Sequence, residues 1–435
     1  MKYPGFFPAF LVLPLFMGIT SARPYFQTID AQFHTANNAD AVCKIKVGEV
    51  AKLTTDLGGG DLIMQLDHYQ ARVEVLASIK GKLAGTLLIN FNYPPAENLA
   101  QDKWLEGMYS RLQPGETCLA LMKVTGTKYT LLEGPGKVPA DPEIFAYDLG
   151  DEPAQKLLAE FCGGARSRDK QVQRTAIEQL GYLGEDCYKN LHNLNAIRFL
   201  LQEKDLRRAQ AVVKEACHSA DPILRGLAFC SGFQLNVNPG LEGPLEFMKL
   251  TVPAEESAPA WVEFDSRHPQ IITLRRRLLR TLDETTRRSI PDPNTGQTMW
   301  KPDHSDIYRG VPGFDYARFY REVLSLPLVA QDLELRRECA NVIWIRFEKS
   351  SVPEMIRLLD DPNSSIRQTG VSALRKCIHH DFSNSWDLQY LEKSAPMNLP
   401  ERPLEERLAE YRTNEAAYLA YWRQWWGENK NQYLH

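Results

Sequence analysis

A change of period divides this chain. Between Ala41 and Glu133 apolar residues recur at every second position, whereas beyond Asp148 they recur at spacings of three and four. A period of two belongs to strands and a period near 3.6 to helices, so no single uniform layer can accommodate both halves. The fold class read from this is multidomain β plus α. With 435 residues there is room for two or three hydrophobic cores.

In the first half the apolar pattern places strands at Val42 to Val50, at Ala71, Val73 and Val75 alternating with Arg72 and Glu74, and at Leu87, Ile89 and Phe91. Two more are expected at Thr117–Val124 and Lys128–Leu132, bounded by Pro114-Gly115 and Gly134-Pro135-Gly136. Five strands of this length suit a small closed barrel. Gly58-Gly59-Gly60 reads as a hairpin tip. Val42-Cys43, Ala71-Arg-Val-Glu-Val-Leu76 leading to Lys80-Gly81, Ile89-Asn-Phe91 and Pro114-Gly-Glu-Thr-Cys-Leu-Ala-Leu121 together resemble the netrin-like or tissue-inhibitor-of-metalloproteinase-like barrel. That resemblance implies a small OB-type β-barrel, an exported protein and, as one alternative function, a metalloproteinase-inhibitor-like protein. The inhibitors chelate zinc through an amino-terminal cysteine, and Cys43 stands well inside the expected mature chain.

The second half repeats. Its clearest unit runs Val352-Pro-Glu-Met-Ile-Arg-Leu-Leu-Asp-Asp361, then Pro362-Asn-Ser-Ser, then Ile366-Arg-Gln-Thr-Gly-Val-Ser-Ala-Leu-Arg-Lys-Cys-Ile378. Asp361 and Pro362 stop one helix and start the next, Ser364 or Ser365 can cap it, and Gly370 permits close approach of the pair. Leu358, Leu359, Val371, Leu374 and Ile378 are expected to face the core. The unit closely resembles a HEAT repeat. The same start recurs at Asp221-Pro-Ile-Leu-Arg225 with Ala228, at Asp332-Leu-Glu-Leu-Arg-Arg337 with Ala340, and in degenerate form from Asp169 to Ala176 with Arg174 one position off. Such a unit cannot bury its apolar face alone, so an irregular HEAT-like α-solenoid is expected to follow the barrel.

The spacing of these starts is uneven, which points to an insertion rich in Pro, Asp and Gly around a helix from Leu274 to Leu282. The segment from Leu404 to Tyr433, with Trp422, Trp425 and Trp426, reads as the cap of the last repeat, its tryptophans packing inward. At the other end, Met1-Lys2, an apolar run from Phe6 to Ile19 and Thr20-Ser-Ala22 read as an export signal. The expected organisation is a signal peptide over 1–22, an N-terminal segment over 23–40, a β-barrel domain over 41–140 and a HEAT-like α-helical repeat domain over 150–435 with an insertion at about 251–313. A periplasmic or secreted location follows, with no transmembrane span in the mature chain.

The formal charge of −4 gives no support to nucleic-acid binding. Catalytic signatures are sparse: the nine histidines contain no H-E-x-x-H pair, and there is no G-x-S-x-G elbow and no glycine-rich phosphate loop. His379-His380-Asp381 reads as C-terminal charge placement on a helix. Asp292-Pro-Asn294-Thr-Gly296 has the start of a calcium loop without its later acidic ligand. Asp292, Asp303, His304 and Asp306 form a candidate ligand loop, on which an alternative function rests: an exported metal-dependent hydrolase with its site in residues 289–313. Arginines 275, 276, 277, 280, 287 and 288 mark a basic helix, readable as an anion site or as a solvated face.

Eight cysteines in an oxidising compartment permit disulfides. Cys43 and Cys118, the two in the barrel, are the economical pair, and the other six read as small buried apolar residues on helices, with Cys162–Cys187 a further pairing left open. No cofactor and no catalytic residue is assigned. The expected function is an exported non-catalytic binding or scaffold protein that meets a protein partner through its helical surface.

Overall fold

In the computed structural model the described residues are 39–57, 65–101, 109–132, 136–144, 150–189, 201–251, 270–286, 311–346, 349–396, 399–400 and 402–434. They form a closed β-barrel followed by a helical array.

The barrel strands are β1 (Ala41–Leu57), β2 (Gln65–Lys80), β3 (Gly85–Tyr93), β4 (Thr117–Thr125), β5 (Lys128–Leu131) and the short β6 (Lys137–Pro139), with helix α1 (Ala96–Gln101) between β3 and β4. β1 pairs antiparallel with β2, β2 with β3 and β4 with β5, while β3 and β5 run parallel. β1 also pairs with β4 over Ala41–Lys46, which closes five strands into a ring of the OB type. β6, the one described strand that the sequence pattern did not mark, adds to β4 beside Cys118–Ala120.

Closure requires β1 to bend, and its register with β2 slips between Val47 and Val50. Gly48 makes that possible, since a Cβ there would stand 3.0 Å from the Arg72 carbonyl oxygen. Ala41, Cys43, Ile45, Val47, Ala71, Val73, Ile89, Phe91, Cys118, Ala120 and Met122 fill the interior.

The array begins with two helix pairs, α2 (Pro153–Gly164) with α3 (Lys170–Lys189) and α4 (Glu203–Ala216) with α5 (Pro222–Gln234), followed by α6 (Glu242–Lys249), which packs on α5, and by α7 (Ile271–Thr286). Then α8 (Tyr316–Leu324) and the single turn α9 (Pro327–Gln331) precede α10 (Leu333–Arg346), α11 (Val352–Leu358) pairs with α12 (Ser364–His379), and α13 (Leu404–Asn429) closes the end. The second helices stack in order, α3 on α5, α5 on α7, α7 on α10 and α10 on α12, so the array is a solenoid. The helix around Leu274–Leu282 is thus α7, a member of the stack and not part of an insertion.

Close packing rests on glycine where pairs meet. A Cβ on Gly226 would lie 2.5 Å from Phe247 and 2.7 Å from Leu274, and one on Gly370 would lie 2.8 Å from the Leu358 Cβ. Leu358, Leu359, Val371 and Leu374 are buried and Ile378 packs against them, as their spacing requires.

Barrel and solenoid share one core. Along β1 and β4 the inward residues alternate with Val42, Leu119 and Leu121, which join Ile79, Val138, Leu157, Leu158 and Phe161 in the core of the helices. β4 is therefore buried on both faces, which explains why Cys-Leu-Ala-Leu-Met reads as an unbroken apolar run.

Candidate functional site

At the junction Lys44, on the outward face of β1, is fully buried. Its ammonium meets the Glu160 carboxylate of α2 at 2.6 Å and donates to the carbonyl oxygens of Asp141, at 3.0 Å, and Ile144. A charge taken out of water needs such a complete set of partners, and removing one would leave the other stranded. The ion pair fixes how the barrel sits on the first helix pair.

Farther along, charge defines the repeat. Asp221 caps α5, accepting from the amides of Ile223 (2.9 Å) and Leu224 (3.3 Å), and its other oxygen receives Arg174 of α3 at 3.0 Å. Asp332 accepts from the amides of Glu334 (2.9 Å) and Leu335 (3.2 Å) at the start of α10 and receives Arg276 of α7 at 3.3 Å. Asp361 accepts from the Asn363 amide at 2.8 Å and receives Arg336 of α10 at 2.8 Å. At the end Glu415 of α13 takes both arms of Arg367 from α12, at 3.0 and 3.1 Å. Each rung joins the start of one second-layer helix, or the cap, to the body of the helix before it.

Arginines near the helix starts also brace their own helices. Arg225, Arg336 and Arg367 each donate to a carbonyl six residues back, of Ser219, Ala330 and Asp361 respectively. Arg336, and not Arg337, is thus the equivalent of Arg225 and Arg367; Arg337 pairs locally with Glu334 at 2.6 Å. In α3 the two tasks are divided: Gln173 reaches back to the Ala165 carbonyl at 3.1 Å and Arg174 makes the rung. At α12 the cap is Asn363, whose side chain accepts from the Ser365 amide at 3.0 Å, in place of the expected Ser364 or Ser365. Asn is as good a cap as Ser, and Ser364 donates instead to Glu415 at 2.9 Å.

These rungs revise the reading of the basic helix. Arg275 and Arg276 are buried, Arg277 bonds Glu178 and the Tyr182 hydroxyl (2.8 Å), and Arg280 bonds Glu338 at 3.2 Å. Burial opposes the charge on Arg277, yet Tyr182 and Glu178 hold its pKa well above the ordinary value. The helix is neither an anion site nor a solvated face. Its arginines are cross-ties. Arg287 and Arg288 lie outside the described residues.

The expected Cys43–Cys118 staple is not made: both thiols are free. Register explains this, because Cys43 faces Ala120 and Cys118 faces Ile45. The two are diagonal neighbours, a separation of about 7–8 Å between Cα atoms that exceeds the usual disulfide span. Cys217, Cys230 and Cys339 are likewise free and buried, Cys162 and Cys377 are buried, and the Cys187 side chain lies outside the described residues. Burial pushes the Cys43 thiol up to about 11 and the Cys217 and Cys230 thiols to about 12.

His379, His380 and Asp381 do not converge. His380 takes a left-handed conformation at the end of α12, Asp381 binds Arg375, and His379 meets the Tyr421 hydroxyl at 3.1 Å. Trp422 is buried, while Trp425 and Trp426 pack with Tyr433. Asp292, Asp303, His304 and Asp306, the Asp292–Gly296 turn and Gly58–Gly60 lie outside the described residues. Among the described residues no cluster of three or more His, Cys, Asp or Glu is placed to hold a metal ion, and no helix is long and apolar enough to cross a membrane.

One grouping has no counterpart in the sequence reading. Trp344 of α10 donates from its indole nitrogen to Ser372 of α12 at 2.9 Å, and the Lys376 ammonium stands 3.5 Å from the centre of the indole ring. Ser372 and Lys376 share a helix face at a spacing of four, the only signal the sequence offers, and Trp344 enters from 28 residues away.

What the fold defines is a two-part protein, an OB-type barrel set on an irregular α-solenoid. The chain matches no model of a known protein family, and no curated protein matches it in sequence.

Proposed function

We propose that this is an exported, non-catalytic scaffold that binds another protein through its helical array, with the barrel as a second surface or point of attachment. In this reading the helix pairs are HEAT-like repeats, and the barrel is akin to the netrin-like type. The observation that carries it is the ladder Arg174–Asp221, Arg276–Asp332, Arg336–Asp361 and Arg367–Glu415. These four ion pairs act between helices as structural ties. A stack held in register presents an extended surface of fixed form, which is what a binding solenoid offers a partner. The buried Lys44–Glu160 pair supports a fixed placing of the barrel beside it.

The test is chemical cross-linking of the tagged protein in its native extract, followed by mass spectrometry of linked peptides and a count of bound metal. The reading expects one recurrent protein partner with links concentrated on the helical array. Links confined to the barrel, or no recurrent partner together with stoichiometric metal and metal-dependent hydrolysis, would overturn it. Export is checked separately by recovering the protein outside the cytoplasm with its first 22 residues removed.

A further inference from the structure

The first hairpin of the barrel outruns the ring it belongs to. β1 pairs with β4 only over Ala41–Lys46, and the Gly115 amide adds a last bond to the Val47 carbonyl, whereas its pairing with β2 continues to Leu57. Among the described residues nothing hydrogen-bonds to the far edge of β1 from Val50 to Thr55. Ala51, Lys52, Leu53, Thr54 and Thr55 are all exposed, although successive strand residues point to opposite faces. Strand edges are ordinarily guarded by proline, by charge or by a bulge. Val50–Thr55 has no proline, and its one charge, Lys52, is turned across to Asp67 of β2 at 2.8 Å. What is left is the register slip at Leu53, which faces no residue of β2 and keeps an apolar side chain 55% exposed beside the open backbone.

A cation stands beside this edge. Tyr69, opposite Lys52, stacks on Phe91 at 5.2 Å, and the Arg111 guanidinium lies over the Tyr69 and Tyr93 rings, 5.9 and 5.5 Å from their centres. Arg111 is exposed, and among the described residues its side chain enters no ion pair and no hydrogen bond. The acids nearby act on other cations: Asp67 and Glu97 on Lys52, and Glu116 on Lys137, which also donates to the Arg111 carbonyl at 2.6 Å.

We propose that the β1 edge over Val50–Thr55 takes up an extended acidic segment of the protein partner as an added strand, with a carboxylate of that segment on the Arg111 guanidinium. This rests on the binding reading above and gives the barrel surface its ligand. In strand addition the backbone bonds supply attachment, and side chains at alternate positions supply the choice. Charge complementarity makes the choice here. The guanidinium is held over two rings with its N–H donors unspent, and a carboxylate accepts from such a fork through both oxygens. Asp67 does not compete, because Lys52, Thr55 at 2.8 Å and the Tyr69 hydroxyl at 3.2 Å already satisfy it. A second copy of this edge is the poorer occupant, since Val50–Thr55 would bring another lysine and no acid. A basic segment would set like charges against Arg111.

The experiment titrates a blocked octapeptide of alternating valine and glutamate into the purified full chain at physiological salt, followed by calorimetry and amide hydrogen exchange. The controls are the same peptide with lysine for glutamate, and a fully N-methylated form that cannot donate backbone hydrogen bonds. The valine–glutamate peptide is expected to bind saturably and to slow exchange of the β1 amides between Val50 and Thr55, and neither control to do so. Arg111→Gln, at an exposed side chain, should weaken binding about tenfold or more, the loss of one charge-assisted contact. Absence of saturable binding, equal binding by the N-methylated peptide, or full affinity in Arg111→Gln would overturn the proposal. So would slowed exchange at this edge that appears without peptide as the chain dimerises, which makes a second copy the occupant. If the edge proves inert while cross-links map a partner onto the array, the scaffold reading stands and only this edge is refuted.

Discussion

The barrel closes upon itself, and the solenoid never does. In the barrel, β1 returns to β4 and completes a ring of backbone hydrogen bonds around an apolar interior. In the array each pair has open sides, and what joins one pair to the next is apolar contact reinforced by Arg–Asp and Arg–Glu rungs. The difference teaches where charge is structural. Lys44 is the exception that connects the two regimes, a barrel residue turned outward into the helical core.

The largest effect is expected at the far end of the array. Arg375 is buried against Asp381, stacks 4.8 Å from the centre of the Trp386 ring and donates to the Ser385 carbonyl at 2.7 Å. Arg375→Ala should cost about 3–5 kcal/mol in urea denaturation, because it strands the Asp381 carboxylate. A loss below 1 kcal/mol would show that charge is not structural there. Next, Gly226→Leu forces a side chain against Phe247 and Leu274 and should cost about 1–3 kcal/mol, while Gly115→Ala in the barrel, with open space around it, meets only backbone strain.

The rungs come third. Asp221→Ala removes both a helix cap and an ion pair and should cost about 1–2 kcal/mol, and a cycle with Arg174→Ala isolates the pair's share. The rung also gives a pH signature. Burial raises the Asp221 pKa, but the Leu224 amide and Arg174 more than offset this, and the carboxyl ends below its ordinary value. A carboxylate with a depressed folded pKa stabilises above its unfolded value near 4 and loses that contribution as the pH falls through the folded one. Asp221→Asn should therefore lower stability at pH 7 and flatten its decline below pH 4, whereas a parallel decline in both proteins would remove the rung from the account. The smallest effect is in the barrel: Cys43 and Cys118 should resist alkylation until the chain unfolds, and Cys118→Ala should be mildly destabilising through the small cavity it leaves.

Much of the architecture is legible in the sequence, for identifiable reasons. The alternation of Ala71, Val73 and Val75 and the i, i+3, i+4 spacing about Leu374 are local signals of burial, and they placed strands and helices in the right halves. Gly370 was informative because a close approach admits no side chain. What stayed hidden depends on pairing between distant residues. The choice of Arg336 over Arg337 is decided by Asp361, 25 residues on, and the arginines of α7 cannot be told from a solvated face without Glu178, Asp332 and Glu338. Nor does sequence spacing show that Cys43 faces Ala120, since one diagonal step of register separates a disulfide from two free thiols. The contact of Trp344 with Lys376 belongs to the same class.

The most direct test of the central claim, that buried charge joins the closed barrel to the open array, is a double-mutant cycle on Lys44 and Glu160 read by urea denaturation. Lys44→Met and Glu160→Met should each cost about 3–5 kcal/mol, and the double variant should recover most of that loss, because an apolar pair of similar size needs no compensating charge. Two small, additive losses would contradict the account and leave barrel and solenoid joined by apolar contact alone.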